Sequence, residues 1–500
     1  MPTTRNRKWG ETLADPDGLR KGAHHEFLDA VQQFLPDARP GSIGALCVEM
    51  IDAVQHQAAE RSWIAAMDQA GRSLRAARSL HSSERRFVGD ALHEVVRGLR
   101  RLRAIAGERR PTAIQLYLTW LIDGLIEQSA RSGDAQPSLP MSLLRGAERA
   151  GLELPRLIER RASLASRLAA VESLAAEEQI DAIGEALSYP GWIVRALRDD
   201  LGLEAALAVL RAQNSRAPLT VRANALRCER EALAERLRAE GLSVEPTQLS
   251  LHGLTVDGRV NVYGTQAFAE GLLEIQDEGS QLIAELCAPP PGSVVVDLCA
   301  GAGGKTLALA ALLGNKGRIV AMDIDGRKLD ELQKRARRAG LSNVQAVCLP
   351  EDWAMVGGTG ELPEWLRLRG AERVLVDAPC SGLGVLRRHP EARWHLQPRD
   401  VEELVVKQRA ILNAAASLTR GDGRGPGRLI YATCTLLKRE NDEIVDAFLA
   451  AHPDFAPLAT KEIFGSERAS RLGDGQRLRL RPSAGGPDGF FAAVMRHTAP

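Results

Sequence analysis

Two cysteines sit where a parallel sheet would present reactive groups. Val374 to Val376 reads as a short strand and runs into Asp377-Ala378-Pro379-Cys380-Ser381-Gly382-Leu383-Gly384, while Leu429 to Tyr431 runs into Ala432-Thr433-Cys434-Thr435. Both thiols fall just past the carboxyl end of a strand, the edge on which an open α/β sheet binds ligands. One long helical stretch, Val401 to Leu418, lies between them, so the two strands can be near neighbours. A lone cysteine at such a place is usually a small core residue. A pair, one of them inside D-A-P-C, suits covalent chemistry on a ring. Carbon 5 of cytosine is a poor nucleophile. A thiolate adding at carbon 6 gives an enamine-like ring whose carbon 5 attacks a methyl sulfonium. Asp377 suits the support that N3 and the exocyclic amine need as charge builds there. A second thiol can assist when the carbon 5 proton leaves and the first thiol is expelled. The base must also leave its stack to reach such a site.

A sulfonium donor needs its own pocket. Val294 to Thr306 reads V-V-V-D-L-C-A-G-A-G-G-K-T, a strand, a small-residue loop and a helix start. Gly301, Gly303 and Gly304 let main chain approach a ligand where a side chain would block it. A P-loop requires G-x-x-x-x-G-K-[ST]; Cys299 stands where its first glycine must be. A dinucleotide fingerprint requires a third glycine, and Thr306 occupies that position. An S-adenosylmethionine pocket requires the glycine turn and a carboxylate after the next strand for the ribose hydroxyls. Asp323, ending Arg318 to Met322, supplies it, with Asp325 the alternative.

The elements that position these groups alternate. Val294 to Val296, Arg318 to Met322, Val344 to Val347, Val374 to Val376 and Leu429 to Tyr431 read as strands. Lys305 to Leu313, Arg327 to Ala339, Val401 to Leu418 and Glu440 to Ala450 read as helices. Such alternation predicts an α/β, doubly wound parallel sheet. Arg477 to Arg481 and Phe490 to Met495 flank a Gly-Gly-Pro-Asp-Gly turn, as in an antiparallel edge hairpin. Before this, Leu219 to Arg222, a helix from Glu229 to Glu240, and strand-like pieces at Gln248 to Leu254 and Val260 to Tyr263 suit a small α/β module. Ser42 to about Ala175 is helical, with no glycine loop, acid pair or metal-ligand spacing. The predicted parts are a tail (1–40), a helical domain (41–180), a small α/β module (181–290) and a doubly wound domain (291–500). The helical part is expected to serve RNA docking.

The motifs D-L-C-A-G-A-G-G-K-T, D-A-P-C-S-G and T-C-T resemble those of the RsmB/Nop/NSun family of RNA cytosine-5 methyltransferases. The resemblance extends through Glu274-Ile275-Gln276-Asp277-Glu278-Gly279-Ser280, Arg387-Arg388-His389-Pro390 and Asp488-Gly489-Phe490-Phe491. It covers about Ser188 to Arg496. Glu84-Arg85-Arg86-Phe87-Val88, leading to Val96-Arg97, is similar to the NusB-like domain of the RsmB branch, which acts on 16S rRNA. The resemblance implies a class I S-adenosylmethionine-dependent methyltransferase fold, Cys434 as nucleophile and Cys380 as the thiol that helps release product. It also implies that Cys299, Ala300, Gly301, Ala302, Gly303, Gly304, Lys305, Asp323 and Asp377 hold the cofactor. An acid after the third strand joins them, Asp352 or alternatively Glu351. Lys305 then neutralises a carboxylate near the cofactor. Gly301-Ala302 stands where the family usually has Ala-Pro, and Thr435 where it usually has Ser; both changes are conservative. Arg387, Arg388 and His389 are open to two readings, phosphate contact or a solvated charged face. The implied substrate is RNA, ribosomal in the first instance. A tRNA methyltransferase and a non-catalytic RNA-binding assembly factor are the alternatives.

Composition is compatible with all of this. The chain of 500 residues is 44% hydrophobic and 26% charged, with a formal net charge of +1. That total neither demands nor excludes a nucleic-acid partner. Seven cysteines with no C-x-x-C spacing point to free thiols in a reducing compartment. The polar start, Met1 to Lys21, has no apolar signal region, and no apolar run suggests a membrane span. A cytoplasmic monomer without a metal site is expected. Because the P-loop pattern fails at Cys299, calorimetry should detect binding of S-adenosylmethionine and none of ATP. Tight ATP binding without binding of the methyl donor would refute this reading of the loop.

Overall fold

The computed structural model describes residues 42–60, 62–77, 79–132, 139–258, 260–358, 362–421 and 425–498. The tail expected over 1–40 lies outside them. The chain divides into two compact units. One comprises residues up to Asn214 together with Leu386–His395, the other Ser215–Val385 and Leu396 onward.

The first unit is helical, as its leucine- and alanine-rich pattern requires. Helices Ile43–Glu60, Trp63–Ala76, Ser82–Arg97, Leu99–Ala106 and Ala113–Ser132 surround a core that includes Phe87, Val88, Leu116 and Tyr117. Helices continue through Leu203–Ala212, so residues 181–214, expected with the small module, are helical and cluster here. The turn at Tyr189-Pro190 breaks the helical run, with Ser188 in the left-handed region.

Residues Leu386–His395 complete this unit although they follow Cys380 in sequence. Arg393 is fully buried. One guanidinium nitrogen lies 3.0 Å from both the Ser188 carbonyl and Asn214 Oδ1, and its plane stacks over the Tyr189 ring at 4.0 Å. Trp394 Nε1 donates to the Val96 carbonyl at 2.7 Å, and Arg97 donates to the Arg387 carbonyl at 3.0 Å. Arg387 is 2% exposed, so it belongs to neither a solvated face nor a phosphate-binding one. His389 remains exposed beside Glu391.

The second unit holds two sheets. The smaller is antiparallel, in the order β2 (Val244–Pro246), β3 (Gly253–Val256), β1 (Leu219–Ala223), β4 (Leu273–Ile275). The helix Arg230–Ala239 packs on it through Leu233, Ala234 and Leu237. The expected strand at Val260 to Tyr263 is instead a turn ending in the 3-10 segment Val262–Gly264, with only Val262 of that segment buried. β4 itself was not expected, being three residues long.

The larger sheet runs β10 (Phe455–Leu458), β12 (Phe490–His497), β9 (Arg428–Thr433), β8 (Arg373–Asp377), β5 (Val294–Leu298), β6 (Arg318–Asp323), β7 (Val344–Cys348), with β11 (Leu478–Leu480) also on β12. The five strands β5 to β9 are parallel; β12 enters antiparallel. Successive side chains alternate between two cores, as strand geometry demands. Val295, Leu375, Ile430 and Ala492 face one, and Val296, Val374, Leu429 and Phe491 the other. β12 is not the expected edge: β9 and β10 flank it, and β10 carries Pro457, which weakens its strand signature.

Removing the Arg393 side chain takes the donor from the Arg97 and Ser188 carbonyls and from Asn214 Oδ1 and opens a gap under Tyr189. Arg393→Ala should therefore cost roughly 2–4 kcal/mol, read as a lowered denaturant midpoint for the helical signal. An unchanged midpoint would show that this segment is only loosely attached.

Candidate active site

β5 and β8 are neighbours although three strands apart in sequence, so their connections leave in opposite directions. The crevice at such a reversal, outside the carboxyl ends of the strands, is where doubly wound sheets bind ligands. The glycine loop, Asp323, Asp377 and both cysteines all lie along this edge.

The loop is held in a conformation that costs energy. Cys299 has φ +65°, a region that disfavours residues with a Cβ. The position where a P-loop would carry glycine is thus bent as a glycine would be, by a cysteine. Ala300 N–H donates to the Met322 carbonyl at 2.9 Å, and Gly303 N–H to the Ala300 carbonyl at 3.0 Å. Gly303 takes φ +86°, and a Cβ there would collide with Leu332. Gly301, at φ +55°, opens onto space, since a Cβ would meet nothing within 4 Å. The Ala302 carbonyl accepts from Arg335 at 2.7 Å, and Arg335 also pairs with Glu274 of β4. Gly304 starts the helix Gly304–Leu312.

Asp323 is 8% exposed. One of its oxygens accepts from the Gly301 N–H at 2.8 Å and the other from the Asp325 N–H at 2.9 Å. Asp325 instead caps the helix Gly326–Ala339 by accepting from the Arg327 N–H. Of the two alternatives, Asp323 is therefore the one joined to the glycine loop. Glu351 and Asp352 are both exposed, in the turn after β7, and Asp352 precedes the buried Trp353.

Lys305 Nζ lies 2.6 Å from Asp377 Oδ2. Burial works against its charge, but the Asp377 carboxylate outweighs this and holds the ammonium above its ordinary value. Behind it, burial pushes the Asp297 carboxyl up to about 7, moderated by the Thr306 hydroxyl at 2.6 Å. Asp297 sits inside V-V-V-D-L, where its place within a strand gives no sign of a site residue.

The two thiols meet. Register pairs Asp377 of β8 with Ala432 of β9, and Cys380 Sγ lies 3.4 Å from Cys434 Sγ. The Cys434 N–H also points to Cys380 Sγ at 3.3 Å. Hydrogen bonding to Cys434, and then burial, push the Cys380 thiol well above the usual cysteine range. Gly384 lets the loop close: its N–H donates to the Cys434 carbonyl, and a Cβ would strike the Gly489 carbonyl at 2.2 Å. Sequence reasoning missed the groups beneath the thiols, namely Ser381, Thr435, Gln408 and Glu440. All are buried, and only the hydroxyl beside each cysteine gave a signal.

A sheet of this order, with a glycine loop after its first parallel strand and an acid after the second, defines an S-adenosylmethionine-dependent methyltransferase fold. A solved methyltransferase homologue from Pyrococcus horikoshii shares it, with TM-score 0.53 and 25% identity over 65% of this chain and all of that one. Residues 284–496 match the family described as 16S rRNA methyltransferase RsmB/F, and residues 189–263 match its ferredoxin-like domain. The probable ribosomal RNA small subunit methyltransferase B of Bacillus subtilis is 34% identical over 64% of this chain and 69% of its own length. The Pseudomonas putida ribosomal RNA small subunit methyltransferase B is 32% identical over 62% and 66%. The chain belongs to the RsmB/F family of 16S rRNA methyltransferases, within the wider RsmB/Nop/NSun group.

The glycine loop, with its open main chain at Gly301 and the carboxylate of Asp323 behind it, fits a methyl donor bearing ribose hydroxyls. If Asp323 binds those hydroxyls, Asp323→Ala removes a charge-assisted partner as well as the acceptor of the Gly301 N–H. Donor binding measured by calorimetry should weaken by about 1.5–3 kcal/mol. Unaltered affinity would remove Asp323 from the cofactor site.

Proposed function

We propose that the protein transfers a methyl group from S-adenosylmethionine to carbon 5 of a cytosine in small-subunit ribosomal RNA, through a covalent bond between Cys434 and carbon 6. The observation that carries this is the 3.4 Å approach of two thiols at the ends of adjacent parallel strands. Bound at the glycine loop, S-adenosylmethionine supplies an electrophilic methyl group. Cys299 to Lys305, Asp323 and Asp352 are the residues proposed to hold it. Asp377, anchored by Lys305, borders both this pocket and the thiols and is suited to orienting the polar edge of the base.

The pairing of the thiols gives them different tasks. Cys434 adds to carbon 6. Cys380, whose sulfur lies 3.4 Å from that of Cys434, is then placed to assist when a base takes the carbon 5 proton. Removal of that proton restores the ring double bond and returns the electron pair to Cys434.

The helical unit and the small antiparallel module are proposed to dock RNA, in the cytoplasm, with the protein acting as a monomer. Among the described residues no helix is long and apolar enough to cross a membrane. A tRNA substrate would use the same thiols, and the relatives named for the ribosomal small subunit favour rRNA. A non-catalytic assembly factor would have no need of paired thiols beside Asp377. Bisulfite sequencing of RNA from cells with and without the protein identifies the substrate.

Cys434→Ala should abolish turnover and every covalent RNA adduct. Cys380→Ala should still permit attack and methyl transfer but trap the product, giving a protein–RNA band that survives denaturing electrophoresis. The reverse pattern would exchange the two roles. Activity retained in both variants, without any adduct, would eliminate the cysteine mechanism.

A further inference from the structure

Directly beneath the thiol pair lies a carboxylate that the mechanism does not use. Glu440 is fully buried, in the 3-10 turn Lys438–Glu440 just before the helix Asp442–Ala451. Its Oε1 accepts from the Ser381 N–H at 2.8 Å and from Gln408 Nε2 at 3.0 Å. Its Oε2 lies 2.5 Å from the Ser381 hydroxyl and 2.8 Å from the Thr435 hydroxyl. Those two hydroxyls are 2.8 Å from each other. Gln408, from the helix Pro398–Ala416, also donates to the Pro379 carbonyl at 2.9 Å. Glu440 thus holds the residue after each cysteine directly, and through Gln408 it is linked to Pro379 before Cys380.

The turn that carries Glu440 is itself fixed. The Tyr431 hydroxyl of β9 donates to the Glu440 carbonyl at 2.7 Å. Asn441 donates to the Thr435 carbonyl at 3.0 Å. A buried carboxylate surrounded by donors is stable only while they stay in place, because an unpaired one is costly. Beyond the strand ends the loops after β8 and β9 are joined by the bond from the Gly384 N–H to the Cys434 carbonyl, and this cluster adds a side-chain tie between the residues next to the two sulfurs. Thr435 keeps the hydroxyl that serine would bring, which explains why threonine suffices after Cys434.

We propose that Glu440 is a positioning residue that ties the Ser381 and Thr435 turns together and thereby holds the Cys380 and Cys434 sulfurs at reacting distance. The inference deepens the covalent reading above and rests on it for its effect on turnover. The juxtaposition itself can be measured without RNA.

Diamide oxidises two neighbouring thiols to a disulfide, taking up the two electrons and two protons as its hydrazine. The rate at which a Cys380–Cys434 disulfide forms, followed by mass spectrometry, reports how often the sulfurs meet. The tests use the full chain, with S-adenosylmethionine binding as the check on folding. Glu440→Ala should form the disulfide at least about ten-fold more slowly than the parent protein. Glu440→Gln keeps Oε1 for Ser381 and Gln408 and can donate to both hydroxyls, so it should stay within about three-fold. A parental rate in Glu440→Ala, with donor binding intact, would overturn the proposal. Should the alanine variant lose donor binding, Glu440→Asp carries the test. Its carboxylate is one methylene too short to span both turns, and a parental rate there would be equally fatal.

With RNA present, Glu440→Ala should accumulate the trapped adduct expected for Cys380→Ala, and Glu440→Gln should relieve it. Slow disulfide formation together with no adduct in any variant, Cys380→Ala included, would sink the covalent reading and leave the positioning role standing.

Discussion

Parallel hydrogen bonding between β8 and β9 pairs Asp377 with Ala432, and from that register the remaining geometry follows. Both strands end at the same height, so the chain segments leaving them emerge side by side at the ligand-binding edge. Three residues beyond Asp377 comes one sulfur, and two beyond Ala432 the other. A shift of register by one residue would send alternate side chains into the opposite core. On β9, Ile430 would then exchange faces with Leu429, while Leu375 and Val374 on β8 kept theirs. The apolar packing of the sheet therefore fixes a distance between two polar atoms that lie outside it.

Charge is managed around this edge by short-range partners. Lys305 and Asp377 neutralise each other where the donor pocket meets the thiols. Asp323 spends both oxygens on backbone N–H groups. Glu274 draws Arg335 and Arg338 against β4, and Arg335 in turn supports the Ala302 carbonyl. The small antiparallel sheet is thus joined to the glycine loop by hydrogen bonds and not by proximity in sequence alone.

The parallel strands were legible because valine-rich runs alternated with helical periodicity, and the thiols because D-A-P-C and T-C-T lay at strand ends. Short strands were not. β4 and β10 span three and four residues, too few for a period to register. Glu440 escaped notice because an acid at the start of a helical run reads as a favourable charge at a helix N-terminus. The fold buries it instead. Arg393 escaped for a related reason: a buried guanidinium depends on carbonyls supplied by distant residues, here Ser188 and Arg97. Sequence pattern reports local period, whereas these groups are defined by tertiary partners.

The segment Leu386–His395 has a consequence for how the protein is made. The helical unit is encoded first, yet the partners of the Val96 and Ser188 carbonyls, Trp394 and Arg393, lie beyond the first four strands of the larger sheet. During synthesis at about 5–20 residues per second, they follow the last helix of that unit by a delay on the order of 10–40 s. Until then the nascent helices carry an open seam at Val96, Ser188 and Tyr189. The unit that leaves the ribosome first is thus completed only after four strands of the larger sheet have been made.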